Sequence, residues 1–369
     1  MESTEQKSLL EEFLIKSKKD YDAIKNAKVI CGVIGQSGSG KSSLINSIFG
    51  EKMSQSGPTQ TTLDKKGPFQ KDGLIFYDLP GCGTNEFPKE TYSEVMDLNS
   101  YDCLILVTSN RFYENDRFLI EEANRLEKSI FIVRSRIDEA ISNGKYDYPE
   151  KEEKDIINLC FLEIESSIRD LRTNGIYLVS SRKPTDYDLP LLLEKIAESL
   201  DKIKRAKFIS QIFGANEEII NEKRKIAKKV VKYYSSAAAL NGINPIPGLD
   251  VALDVGLILK MNQEILKIFN LDEDSIAYLK LLKISHTTLN SVQKFGMQFL
   301  TKEAILLLLK KYAPQVATKQ ITKYIPFAGQ AISATIAFGL TMTFGNKTIE
   351  ECAEKALEIL SQVDYTSFE

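Results

Sequence analysis

The string Gly35-Gln36-Ser37-Gly38-Ser39-Gly40-Lys41-Ser42 has the spacing G-x-x-x-x-G-K-S, with which a loop wraps phosphate oxygens in backbone N–H groups. Gly35, Gly38 and Gly40 permit torsions and a close approach that a Cβ hinders. Lys41 is placed to reach the β- and γ-phosphates of a nucleotide, and Ser42 to offer its hydroxyl to Mg²⁺. An apolar run, Val29–Ile34, precedes the loop, and Ser43-Leu44-Ile45-Asn46-Ser47-Ile48 follows it with helix-forming character. Phosphates held there would also meet the positive end of a helix. A Gly/Ser-rich turn without chemistry could share this composition; the strand before it and the helix after it select the nucleotide reading. The candidate contacts are residues 35–42 together with Ser43.

A second apolar run, Leu74-Ile75-Phe76-Tyr77, delivers Asp78-Leu79-Pro80-Gly81. In a D-x-x-G of this kind the aspartate holds Mg²⁺, through water, and the glycine N–H faces the third phosphate. The tetrapeptide is also a good turn, so its weight comes from its place after a strand and after the phosphate loop. Two adjacent acids, with which ATPases activate water at such a strand end, are absent, and this favours GTP. A third run, Ser129–Arg134, ends in Ser135-Arg136-Ile137-Asp138, where many GTPases have N/T-K-x-D. Asp138 would accept from guanine N1–H and the exocyclic amine, a donor pair that adenine lacks. Ser135 can tie the loop, and the flat Arg136 guanidinium can lie over the base. Ile176-Tyr177-Leu178-Val179 then leads to Ser180 and Ser181, whose N–H groups could bond guanine O6. In the polar stretch 54–66, Thr62, with Thr61 and Thr59 as register alternatives, is the candidate that closes on Mg²⁺ and the γ-phosphate. The metal set is therefore Ser42, Thr62 and Asp78, with Mg²⁺ as cofactor. The hydrolytic set is Lys41, Ser42, Thr62, Asp78 and the Gly81 N–H. The residue after Gly81 is Cys82, where Ras-like enzymes keep a water-orienting Gln; an isolated monomer is expected to hydrolyse slowly.

Positioning these residues takes an alternation of strands and helices. Strands are expected near 29–35, 66–70, 73–79, 102–108, 129–135 and 175–180, and helices near 42–49, 88–98, 114–127, 150–173 and 188–204. That order predicts an α/β P-loop, Ras-like domain with a mostly parallel sheet. Beyond about residue 205 the pattern is helical throughout, which predicts a second, all-α domain. Leu10, Phe13, Leu14, Tyr21 and Ile24 recur at helical spacing in the first 25 residues, and Ile349, Cys352, Ala353, Ala356, Leu360 and Val363 do so near the end. Neither stripe can bury itself alone. The expected division is 1–27, a helix packing on the helical domain; 28–204, the Ras-like domain; and 205–369, the helical domain.

In these segments the chain resembles the immunity-related (interferon-inducible) GTPase family, over most of its length. The likeness is carried by residues 35–43, by Asp78-Leu79-Pro80-Gly81-Cys82-Gly83-Thr84-Asn85-Glu86-Phe87-Pro88, and by Ser109-Asn110-Arg111-Phe112-Tyr113-Glu114-Asn115-Asp116. It continues through residues 131–138, through Val179-Ser180-Ser181 with Asp186-Tyr187-Asp188-Leu189-Pro190, and through residues 244–252. Lys41 places the chain with the family's GKS branch. The resemblance implies GTP and GDP as ligands, and a homodimer or oligomer formed through the nucleotide face. It also implies work at intracellular membranes in cell-autonomous defence. The chain departs from the family in Arg136, where Lys is usual, and in Gln60, which occupies the place of a loop carboxylate if Thr62 aligns as above. A non-hydrolysing nucleotide-binding scaffold and a house-keeping translation or ribosome-assembly GTPase are the alternative readings.

Composition fits two domains of this kind. The chain has 369 residues, 43% of them hydrophobic, and a formal charge of −3, against wholesale nucleic-acid binding. Five cysteines without a C-x-x-C pair read as reduced, mostly buried thiols of a cytoplasmic protein, and a single histidine, His286, argues against a His-based metal site or triad. The charged start predicts no signal peptide, and Glu2 no N-myristoylation. Residues 324–346 carry no charge, enough length to span a bilayer. Pro326, Gln330, Asn346 and three glycines favour a buried hairpin or core helix instead. Residues 201–232 hold ten Lys/Arg against four Asp/Glu; a solvated helix face is the expectation, and peripheral contact with anionic lipid the alternative.

Overall fold

The computed structural model describes residues 2–50, 52–53, 66–109, 111–214, 216–243, 250–273, 275–276, 286–301, 303, 305, 307 and 332–362. Thr62, its alternatives Thr59 and Thr61, and Gln60 lie outside the described residues, as do residues 324–331 of the uncharged stretch. The chain divides into two units, one of residues 27–216 and one of residues 1–26 with 217–364.

The first unit is a six-stranded sheet in the order β2-β3-β1-β4-β5-β6. Its strands are β1 (Val29–Ile34), β2 (Lys66–Lys71), β3 (Leu74–Asp78), β4 (Cys103–Thr108), β5 (Ser129–Arg134) and β6 (Ile176–Leu178). All neighbours are parallel except β2 and β3, which form the antiparallel edge. β4 is buried along its whole length, as a central parallel strand covered on both faces must be. β1 lies between β3 and β4, so the chain leaving β1 emerges where the strand order reverses, the place at which open α/β sheets hold ligands. Covering helices are α2 (Lys41–Phe49), α3 (Lys89–Val95), α4 (Glu114–Arg125), α5 (Ile137–Asp147), α6 (Glu153–Ile168), α7 (Leu189–Ser199) and α8 (Lys202–Gln211). One core packs Ile34, Leu79, Tyr92, Leu106, Leu119 and Ile132 together; a smaller one joins Ile137, Ile141, Ile156 and Leu178. All five cysteines are buried free thiols.

Two details depart from the sequence expectation. The helix α5 was not anticipated, because only Ile137 and Ile141 of its residues are buried and Gly144 interrupts the pattern. A boundary at 204/205 falls inside α8. That helix belongs to the first unit: Phe208 is fully buried, Lys204 pairs with Asp102 at 2.5 Å, and Lys207 donates to the Asp72 carbonyl at 2.7 Å. The basic run marks where strands end, whereas packing continues to Asn216. Two of its lysines thus hold loops of the first unit.

The second unit contains α1 (Glu2–Asn26), α9 (Glu217–Ile243), α10 (Asp250–Ile268), α11 (His286–Leu300) and α12 (Ile332–Gln362). α1 runs antiparallel along α9: Tyr21 stacks on Tyr233 with centroids 4.4 Å apart, and Ser17 Oγ donates to Ser236 Oγ at 3.3 Å. The Tyr21 hydroxyl also donates to Glu264 of α10 at 2.6 Å. α12 carries residues 332–346 of the uncharged stretch in a helix that buries Phe338, Thr341 and Phe344. Gly345 lets α9 approach so closely that a Cβ there would meet Val231 at 2.7 Å. Ile349, Cys352, Ala353 and Ala356 continue the buried stripe. Among the described residues no helix is long and apolar enough to cross a membrane.

Candidate nucleotide site

The phosphate end grows from the last residue of β1. Gly35 has φ 135°, and a Cβ there would lie 2.1 Å from the Val107 carbonyl oxygen; only glycine lets the chain turn at this point. The loop closes with a bond from the Ser39 N–H to the Gln36 carbonyl at 3.2 Å, while Ser37 and Gly38 stay exposed at its tip. Gly40, φ 95°, caps α2 without a side-chain hydrogen bond. The first N–H groups of α2, at Lys41, Ser42 and Ser43, therefore have no side-chain acceptor at the cap, the arrangement that suits an anion.

Lys41 is buried, and its ammonium donates to the carbonyls of Gly35 at 3.0 Å and Gln36 at 3.1 Å. It also lies 3.6 Å from Asp78 Oδ1. Ser42 Oγ donates to Asp78 Oδ2 at 2.6 Å. β1–β3 pairing, with Val33 opposite Asp78, brings these residues together across 36 positions of sequence. Asp78 is fully buried; among the described residues its Oδ1 accepts no hydrogen bond, and the buried Ser39 hydroxyl makes none either. A buried carboxylate oxygen that faces an ammonium but accepts no hydrogen bond, beside a serine hydroxyl, is an oxygen set that fits a hard cation such as Mg²⁺.

Gly81 abuts the loop: a Cβ on it would lie 3.3 Å from Gln36 Oε1. The carbonyls on either side are held from below, Pro80 by the Tyr92 hydroxyl at 2.6 Å and Cys82 by Asn115 Nδ2 at 2.9 Å. Cys82 faces the core with Tyr92 and Leu119, and burial pushes its thiol up to about 11. A neutral, inward-facing thiol cannot orient a water molecule at the loop.

The base end is made by side chains at the ends of β5 and β6. Ser135 Oγ donates to the Ser39 carbonyl at 2.5 Å, which ties this end to the phosphate loop as the sequence suggested. Arg136 takes the left-handed conformation, φ 56°, at the cap of α5, and its guanidinium donates to the Gly38 carbonyl at 2.9 Å. It thus reaches the phosphate loop from the base side. Asp138, in the first turn of α5, lies 3.8 Å from Arg182, which pairs with Glu139 at 3.1 Å. Bonds from Ile137 N–H to the Val179 carbonyl (3.2 Å) and from Val179 N–H to the Arg134 carbonyl (2.8 Å) set the loop after β6 beside α5. Ser180 is buried, and its Oγ accepts from the N–H groups of Arg182 and Lys183; Ser181 follows, half-buried.

The structure therefore gathers residues 35–43, Asp78 and Gly81 at one end, and Arg136, Asp138, Ser180 and Ser181 at the other. Sequence reading passed over Tyr92, Arg182 and the specific bond of Asn115. Nothing in the types or spacing of the first two marks them; Asn115 stands inside a quoted segment, but its partner is visible only in three dimensions.

The family model described as Interferon-inducible GTPase (IIGP) matches residues 2–363. "Interferon-inducible GTPase 1" of Mus musculus is 30% identical over 262 residues, which cover 67% of this chain and 62% of that protein. The match thus spans less than two thirds of the mouse relative. "Interferon-inducible GTPase 5" of Bos taurus is 27% identical over 347 residues, 89% of this chain and 74% of its own. Among solved structures, the G domain of the T. maritima FeoB iron transporter is similar at 23% identity and a TM-score of 0.30, covering 47% of this chain and 98% of that one. A likeness that loose has no bearing on function.

Proposed function

The chain belongs to the interferon-inducible GTPase family, and on that premise we propose that it binds GTP and GDP with Mg²⁺, hydrolyses GTP, and uses the cycle to drive dimer or oligomer formation through its nucleotide face. The observation that carries this reading is the meeting of buried Lys41 and Asp78 with half-buried Ser42 at the mouth of the phosphate loop. Lys41 would exchange its loop carbonyls for the β- and γ-phosphate oxygens. Ser42 and Asp78, with Thr62, would hold Mg²⁺, which when bound neutralises charge on the phosphates. The Gly81 N–H would donate to the γ-phosphate, and the α2 N–H groups to the other oxygens. Asp138 would accept from guanine, with the N–H groups of Ser180 and Ser181 on O6.

Cys82 offers no group to place water, so a second copy of the chain is the proposed source of the missing one. On this reading the facing surface would include the segments 60–62 and 83–88, each expected to border the γ-phosphate. A site at intracellular membranes and a part in cell-autonomous defence rest on the family alone.

Steady-state GTP turnover measured against protein concentration tests the whole reading. Specific activity should rise over a hundredfold range, since groups supplied in trans are worth about a thousandfold or more. Light scattering should show dimers or larger species with a GTP analogue and monomers with GDP. Activity strictly proportional to concentration, with a monomer in both states, would leave a conventional monomeric GTPase. Binding without turnover at any concentration would leave a nucleotide-dependent scaffold.

A further inference from the structure

We propose that Tyr92 is a positioning residue for this reaction, its phenol setting the plane of the Pro80–Gly81 peptide so that the Gly81 N–H is aimed before nucleotide arrives. The inference rests on the GTPase reading above. Tyr92 lies on α3 and is fully buried; its hydroxyl donates to the Pro80 carbonyl at 2.6 Å. Pro80 O and the Gly81 N–H belong to one planar peptide, so the oxygen and the hydrogen point in opposite directions. Holding the oxygen toward the buried phenol turns the N–H away from the core, and Gly81 itself abuts Gln36 of the phosphate loop. The ring of Pro80 fixes its φ. The orientation of this peptide therefore depends on one remaining torsion, ψ of Pro80, and the Tyr92 bond selects it.

The next peptides are held in the same manner. Asn115 Nδ2 donates to the Cys82 carbonyl at 2.9 Å. Gly83, φ 80°, leaves room for that amide, since a Cβ there would lie 2.4 Å from Asn115 Nδ2. Beyond it the loop closes on itself through Gly83 N–H to the Phe87 carbonyl at 2.9 Å. Two side chains from α3 and α4 thus grip the carbonyls on either side of Gly81. Burial holds the Tyr92 phenol well above its ordinary range, so it stays a donor at every working pH. A donor aimed in advance costs no reorganisation when charge develops on the γ-phosphate, and a misplacement of about 1 Å at such a position lowers rates about a hundredfold.

The test is Tyr92→Phe, which removes one hydroxyl and keeps the ring, with Asn115→Ala as the second variant on the other side of Gly81. Each is compared with wild type for kcat and for affinity toward GDP and toward a non-hydrolysable GTP analogue. We expect kcat to fall about tenfold or more and analogue affinity to fall with it, while GDP affinity stays within about twofold. Only the triphosphate uses the Gly81 N–H, so a merely structural role would not change the ratio of the two affinities. Unchanged kcat and an unchanged ratio in Tyr92→Phe, beside an active wild type, would overturn the inference alone. So would a parallel loss of GDP and analogue affinity. A wild type that binds no guanine nucleotide would overturn the function proposed above and this inference with it.

Discussion

At the phosphate end of the site the working groups are sealed in: Lys41 and Asp78 are buried, pair with each other, and contact loop carbonyls and the Ser42 hydroxyl. At the base end the two arginines stand in the open, whereas Asp138 is 16% exposed and Ser180 is buried. Arg136 is 48% and Arg182 64% exposed, and the contacts these two make run through their side chains. The difference explains how each end tolerates change. A loop that binds through its backbone needs glycines at fixed positions, because Val107 stands 2.1 Å from where a Cβ on Gly35 would be. An exposed side chain at the base end can be exchanged for another with the same reach. Arg136 in place of the usual Lys still reaches the Gly38 carbonyl, and the left-handed backbone that directs it belongs to the turn into α5.

The largest expected effect comes from breaking the sealed end. Lys41→Ala removes the only ammonium buried against Asp78 among the described residues and should lower GTP turnover by at least about a thousandfold. Single-turnover assays on the folded variant check this, and unchanged hydrolysis would place the activity elsewhere. Asp138→Ala breaks the open end instead. It should leave the fold intact and cost at least about a hundredfold in the preference for guanine over adenine nucleotides, read by competitive titration with GDP and ADP. If the two ends are built as described, the first variant loses rate and the second loses selectivity.

A smaller effect lies beneath the segment 80–88. Asp116 is buried, with one oxygen capping α4 and Oδ1 without a hydrogen bond, and burial pushes its carboxyl up to about 6 from the ordinary 3.8. Between those pH values the folded state keeps a proton that the unfolded chain has released. Stability from this group therefore falls as pH rises from about 4 to about 6, and the penalty is fully present above that. Asp116→Asn keeps the cap acceptor and should stabilise the fold at pH 7 by up to about 3 kcal/mol, and by little at pH 4. Denaturant unfolding at the two pH values measures it; equal stabilisation at both would rule out titration of Asp116 as the cause. The smallest effect sharpens the base end. Arg182→Ala frees Asp138 from a largely exposed ion pair and should tighten guanine nucleotide binding by only about two- to fivefold, seen as a faster association rate in stopped-flow mixing.

The strands β1, β3, β4 and β5 of the first unit were legible because buried parallel strands are continuous apolar runs, and each stands where its run predicts; the antiparallel edge strand β2 has no such run. Helix α5 was not, since tertiary contact through Ile137 and Ile141 rather than a full apolar stripe holds it. The end of the first unit was misread for a related reason. Composition changes at about residue 201, whereas the burial of Phe208 and the lysine bonds of α8 keep that helix in the first unit.

The sequence by itself pointed to the chemistry that depends on residue type at short spacing: a phosphate loop with its lysine and serine, a carboxylate at the end of a strand, and a second carboxylate two strands later. Each of those groups sits in a short string of residue types at fixed spacing, so local order is enough to reveal it, although Ser42 meets Asp78 only across 36 positions. What holds them in register is long-range. Tyr92 on the Pro80 carbonyl, Asn115 on Cys82, Ser135 on Ser39 and Arg182 against Asp138 join residues separated by 12 to 96 positions. A hydrogen bond at such separation depends on how the sheet and helices pack, and neither partner's type alone announces it. Only the tertiary structure could decide them.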